Sequence, residues 1–139
     1  GEAKASPLIE AIKKDLGKEN QIVIYDSPPG AGCSMVETVT DADYVILVAE
    51  PTPFGLSDLR VTVEVLKKIN ISAGLVINGA RQDNSILTDY AANENLEVLL
   101  KIPYSRKFAQ KYSGGTIDPN IFPGLTEEGK GVIKNHKFI

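Results

Sequence analysis

The chain has 139 residues, 42% of them hydrophobic and 24% charged, with a formal net charge of −3 from 15 basic and 18 acidic side chains. That length suits one domain with its own core, expected to span residues 1–139, and the mixed, mildly acidic charge speaks against a nucleic-acid footprint. A lone cysteine, Cys33, excludes an internal disulfide. No apolar run approaches the roughly 20 residues needed to cross a bilayer, and the opening GEAKASPLIE lacks a secretory layout, so a soluble, cytoplasmic protein is expected.

Ser6-Pro7 opens the first predicted helix, because serine caps free helical amides and proline suits the first helical position. Leu8, Ile9, Ile12 and Leu16 share one face of it, and Gly17 is placed to end it. QIVIYD, at 21–26, is a nearly continuous β-branched run of the kind that forms a strand covered on both faces. SPPGAGC follows as a loop, then a short helix over SMVETV. DYVILVAE reads as a second buried strand.

GLSDLRVTVEVLKKI is predicted helical, with Leu56, Leu59, Val63 and Leu66 in one stripe and Ile69 close to it. SAGLVING is a third strand. DNSILTDYAANEN is a helix capped by Asp83, and LEVLLKIP is a fourth strand. YSRKFAQKY is a further helix, broken by Gly114-Gly115, and LTEEGKGVIKNH a last, weak one. Strand alternates with helix at short loop lengths, which predicts an α/β layered fold with a mainly parallel sheet and helices on both faces.

In such folds ligands gather beyond the carboxyl ends of the strands. Those ends are Asp26, Glu50-Pro51-Thr52, Asn78 and Pro103-Tyr104-Ser105, all expected along one edge. Asp26, before a Pro-Pro-Gly loop, suits an acid that holds Mg²⁺ through water beside a polyphosphate, or one that caps the next helix. Gly30 and Gly32 would let backbone amides approach a phosphate, with Pro28 and Pro29 fixing the path. The Asn78 amide can donate and accept at once, which suits a nucleobase edge, though Asn-Gly by itself more often marks a turn. Pro103, Tyr104 and Ser105 could offer backbone contacts or a stacking ring, or simply lead into a helix. Glu50 and Asp58 read as solvated or capping acids, Cys33 as a small packing residue, and His136 carries no assignment. The charges in LKKI and SRKFAQK read as solvated helix faces.

The run IVIYDSPPGAGCSMVETVTDADYVILVAEPTPFGLSDL resembles the MinD/ParA/Mrp group of P-loop ATPases, and most closely the members that carry an inserted ferredoxin-like iron–sulfur module. The resemblance covers about residues 1–110. It implies that Asp26 is the catalytic, Mg²⁺-holding acid and that Pro29 and Gly30 lie in a loop sensing the terminal phosphate. It further implies that Asn78 reads adenine, that Pro103, Tyr104 and Ser105 line the base pocket, and that ATP and Mg²⁺ are the cofactors of the parent protein. A role in iron–sulfur or metallocofactor maturation, and a nucleotide-switched homodimer, are implied in the same way.

The departures are as informative. Such ATPases begin with a phosphate loop resembling K-G-G-x-G-K-T, and this chain holds neither that loop nor G-x-x-x-x-G-K-[ST]. The cysteine motifs of the ferredoxin insert are absent as well. The chain therefore resembles the C-terminal portion of the family domain, and by itself is expected to hydrolyse ATP negligibly. In the family a phosphate-loop strand lies between the strands matching 22–26 and 45–49. Here those two would close up, or another chain, a second copy or a missing N-terminal half, would fill the gap. Two other readings remain: a non-catalytic interaction or receiver-like module, and a relative of the cobyrinic acid or dethiobiotin synthases.

Overall fold

Three runs of branched aliphatic residues become strands, and the helices after the first two lay a buried apolar stripe on the sheet. In the computed structural model, residues 5–16, 22–81 and 85–116 are described. The elements are α1 (Ala5–Leu16), α2 (Cys33–Val39), β1 (Val45–Ala49), α3 (Pro53–Lys68), β2 (Ala73–Ala80), α4 (Ser85–Glu94), β3 (Glu97–Pro103) and α5 (Arg106–Ser113). The described strands form one sheet in the order β1-β2-β3, parallel throughout. The expected α/β parallel fold is therefore present. Gly17, Asp83 and His136 lie outside the described residues, as does the weak helix expected over LTEEGKGVIKNH.

The core sits on one face of the sheet. Leu47 pairs with Leu75 and Ala49 with Ile77 across β1 and β2, and period-2 alternation puts all four on the same side. They form one cluster with Met35 and Val39 of α2, Leu59, Val63 and Leu66 of α3, and Leu87, Tyr90 and Ala91 of α4. Leu59, Val63 and Leu66 recur at spacings of four and three, and Leu87, Tyr90 and Ala91 at three and one, as a buried helical stripe demands. Leu75, Ile77, Leu87 and Ala91 are fully buried.

Helices α3 and α4 end by the same device. Asn70 and Asn95 take left-handed backbone angles, φ 56° and 54°. The next residue then donates its amide back into the helix, Ile71 to the Leu66 carbonyl at 3.1 Å and Leu96 to the Ala91 carbonyl at 2.8 Å. Asparagine tolerates this conformation, and the apolar residue after it packs against the core. Each strand starts one or two residues later, so these two asparagines set where β2 and β3 enter the sheet. At the other end of α3, the Thr52 hydroxyl accepts the Gly55 amide at 3.0 Å and Pro53 stands at the first position. A side chain at Gly55 would collide with the Glu50 carbonyl, so the tight β1–α3 connection needs glycine.

One expected element is absent. Residues 22–28 carry no regular secondary structure and belong to no strand. Ile22 is 69% exposed and Ile24 88%. Strand structure is a property of a pair, and this run finds no hydrogen-bonding neighbour among the described residues, so its β-branched sequence has nothing to pair with. The 22–26 run and β1 therefore do not pair with each other. The segment is tied down locally: Lys13 of α1 sits 5.7 Å from the Tyr25 ring centre, donates to the Glu37 carbonyl at 2.6 Å and pairs with Asp41 at 3.1 Å. Cys33, expected to pack as a small residue, is exposed, because α2 turns Met35, Thr38 and Val39 inward and its first residue outward. No described helix is long and apolar enough to cross a membrane.

Ile77→Ala removes a fully buried side chain from the central strand and is expected to cost about 3 kcal/mol in urea unfolding. A change of less than about 1 kcal/mol would contradict the core described here. Tyr44 and Tyr90 both have phenols pushed above the usual 10.0, each by burial first; Glu97 adds to this at Tyr44, and Glu94 at Tyr90. The fold thus favours the neutral ring, so this contribution is intact below pH 10 and declines as pH rises through the folded-state pKa. The Tyr44→Phe, Tyr90→Phe double variant should show a shallower alkaline loss of stability than the parent in urea titrations at successive pH values.

Candidate functional site

Parallel strands deliver their carboxyl ends to one edge, and at β2 and β3 that edge is built in detail. Asn78 lies in β2 opposite Ile102, and Ala80 opposite Pro103, with a register shift between them. Gly79 takes φ 70° in that shift. The Asn-Gly pair therefore makes a bulge inside a strand rather than a turn, and the chain runs on to Ala80. The Ala80 carbonyl accepts the Tyr104 amide at 2.9 Å, which ties the loop after β3 to the end of β2. Ser105 then caps α5, its hydroxyl accepting the Phe108 amide at 3.1 Å.

The result is a polar rim with one aromatic surface. Asn78 is exposed and Tyr104 is 60% exposed. Arg81 lies over the Tyr104 ring, its guanidinium carbon 4.8 Å from the ring centre. A guanidinium held over an aromatic face orients the ring and adds a positive charge to the rim. Asn78, Pro103, Tyr104 and Ser105 thus share one rim, as their strand-end positions predict. Arg81 was missed by reasoning from sequence. Its position three residues after Asn78, just past the strand, was the available signal.

Asp26 and its loop stand differently. Asp26 is exposed within the 22–28 run, so it does not end a described strand, and among the described residues three parallel crossings rather than four carry the rim. Pro29 and Gly30 follow in a bend, both exposed, and Gly30 takes φ 87° with nothing within 4 Å of where a side chain would sit. Gly32 is the residue before α2, and its carbonyl accepts the Val36 amide at 3.1 Å. The glycines thus serve a left-handed bend and a helix start. Glu50 and Asp58 are exposed, in keeping with solvated acids. Lys68, Arg106 and Lys107 are exposed as well, while Lys67 pairs with Glu94. Among the described residues no cluster of three or more His, Cys, Asp or Glu side chains is arranged to hold a metal.

A scan against protein-family models gives no match. The chain is 34% identical over 116 residues to an uncharacterized protein of Methanocaldococcus jannaschii, covering 83% of this chain and 40% of that protein. A second uncharacterized protein of the same organism is 33% identical over 85 residues, 60% of this chain and 31% of the relative. The chain thus spans less than half the length of the curated relatives it matches. Among solved structures it is similar to the MinD cell division protein of Aquifex aeolicus, with a TM-score of 0.63 at 17% identity, over 94% of this chain and 57% of that one. The chain has a MinD-like α/β fold.

Gly30→Ala should lower stability by about 1 kcal/mol in urea unfolding, because alanine is strained at φ 87° although space is free. No loss, or a gain, would contradict the left-handed bend. Gly32→Ala, at an ordinary negative φ, serves as the control.

Proposed function

We propose that this chain is the C-terminal portion of a MinD/ParA-type nucleotide-binding domain and that it supplies the base end of an ATP site. The observation that carries the reading is the meeting of Asn78, Tyr104 and Ser105 at the carboxyl ends of two adjacent parallel strands, tied by the Tyr104-to-Ala80 hydrogen bond. The MinD-like fold supports it, since open parallel sheets take their ligands at this edge. An adenine ring would stack on Tyr104 and exchange hydrogen bonds with the Asn78 amide, which donates and accepts in one plane.

The residues present fit the base better than the phosphates. The bend at Pro29 and Gly30 is exposed and free to approach a phosphate, and Asp26 is an exposed carboxylate three residues before Pro29. One carboxylate suits Mg²⁺ only when water and phosphate oxygens complete its shell, so Asp26 would hold the ion through water in the presence of ATP. Mg²⁺ would supply charge neutralisation at the phosphates. No lysine-bearing phosphate loop exists in these 139 residues, so ATP hydrolysis by this chain is expected at background. The parent's place in iron–sulfur or metallocofactor maturation, and a nucleotide-switched dimer, are extensions that the resemblance to the MinD/ParA/Mrp group supports.

Calorimetry with a non-hydrolysable ATP analogue and Mg²⁺ tests this. Asn78→Ala should weaken binding by about tenfold, the worth of one to two hydrogen bonds. Asp26→Ala should remove the Mg²⁺ dependence while leaving metal-free affinity unchanged. No binding by the parent chain, or an affinity unchanged from the parent in both variants, would overturn the assignment.

A further inference from the structure

Arg81 and Tyr104 meet where the ends of two strands are joined. Arg81 follows directly on Ala80, whose carbonyl accepts the Tyr104 amide at 2.9 Å, so the two backbones are pinned side by side. Ser105 fixes the other flank of Tyr104, because its hydroxyl accepts the Phe108 amide at the start of α5. The side chains above this junction are less constrained. Arg81 is exposed, and Tyr104 stays 60% exposed although the guanidinium carbon lies 4.8 Å from its ring centre. Arg81 reaches the ring from the end of β2, the strand that carries Asn78.

We propose that this pair is a base clamp in its closed form, and that a purine ring inserts between the Arg81 guanidinium and the Tyr104 ring. The clamp rests on the reading of this rim as the base end of a nucleotide site. It adds to that reading a second stacking partner and a preference for purines over pyrimidines.

A guanidinium is planar and weakly hydrated, so it stacks on a nucleobase as it does on an aromatic side chain. The closed pair holds one cation–π contact, which at an exposed site shifts an equilibrium about two- to fivefold. An inserted base gains the Tyr104 face, worth about fivefold or more, and keeps the cation over its own outer face. Insertion therefore exchanges one contact for two. A flat base needs about 7 Å between its neighbours, two contact distances, so the pair must open by about 2 Å from its present 4.8 Å. The methylene stem of Arg81 covers that by a change of rotamer, while the Tyr104 amide keeps its bond to Ala80. A purine offers two fused rings to both sides of the clamp and a pyrimidine only one, which is the source of the preference.

Titration with adenosine tests this, followed through the Asn78 side-chain amide and Tyr104 ring signals in nuclear magnetic resonance spectra. Adenosine carries no phosphate, so long-range attraction to the Arg81 charge drops out. Arg81→Ala should weaken adenosine about five- to tenfold and leave the urea midpoint unchanged. Arg81→Lys keeps the charge but loses the plane, and should stay within about twofold of the alanine variant. The parent should prefer adenosine to uridine by about tenfold, a ratio that shrinks to about threefold in Arg81→Ala. Adenine H8 should show Overhauser contacts to both the Tyr104 ring and the Arg81 δ protons. Adenosine that still moves the Asn78 and Tyr104 signals, with undiminished affinity in Arg81→Ala or with full affinity in Arg81→Lys, would overturn the clamp and leave the base site standing. Adenosine that moves neither signal in the parent would overturn both.

Discussion

The central strand β2 is what the rest of the molecule depends on. Both its edges are hydrogen-bonded in parallel ladders, and Leu75 and Ile77 are fully buried beneath the helices. Parallel ladders on both sides oblige every crossover to run back across the sheet, and this brings α3 and α4 onto one face. The same constraint collects the strand ends at one rim. Even the close fit at Gly74 belongs to it: a side chain there would press on the Tyr44 hydroxyl and on Leu99, with Leu99 Cδ1 2.6 Å from its first carbon. Site and core are thus two consequences of one hydrogen-bonding pattern.

The elements that sequence made legible are those whose burial is decided within the chain. The runs around 45–49, 73–77 and 98–102 read as buried strands, and the stripe Leu59-Val63-Leu66 finds the face that periodicity assigns it. The rim residues Asn78 and Tyr104 followed from strand ends alone, because a parallel sheet leaves no choice of edge. The 21–26 run was misread for an instructive reason. Its composition is as strand-like as any in the chain, but composition states a preference, and a strand exists only where a partner accepts its hydrogen bonds. Here Ile22 and Ile24 stand exposed, and β1 has no neighbour on its outer side among the described residues.

Smaller features were hidden because they depend on backbone angles. Asn70 and Asn95 end their helices in the left-handed region, and each hands an apolar residue to the core at the start of the next strand. The Asn78-Gly79 pair has the look of a turn and becomes a bulge, which keeps Asn78 in the strand while displacing Ala80 toward the loop after β3. That displacement lets Ala80 hold Tyr104, and Arg81 to lie across the ring. A residue three positions from a bulge, pairing with a loop on another strand, follows from register, and register is not written in either segment by itself.

The central claim is that the joined ends of β2 and β3 recognise a purine ring. Intermolecular nuclear Overhauser effects between Mg²⁺-ATP and the isotope-labelled chain test it most directly. The account predicts contacts from adenine H2 and H8 to the Tyr104 ring and the Asn78 side-chain amide. Contacts confined to residues on the opposite edge of the sheet, or an adenine ring with no contact to either residue in a saturated complex, would contradict it.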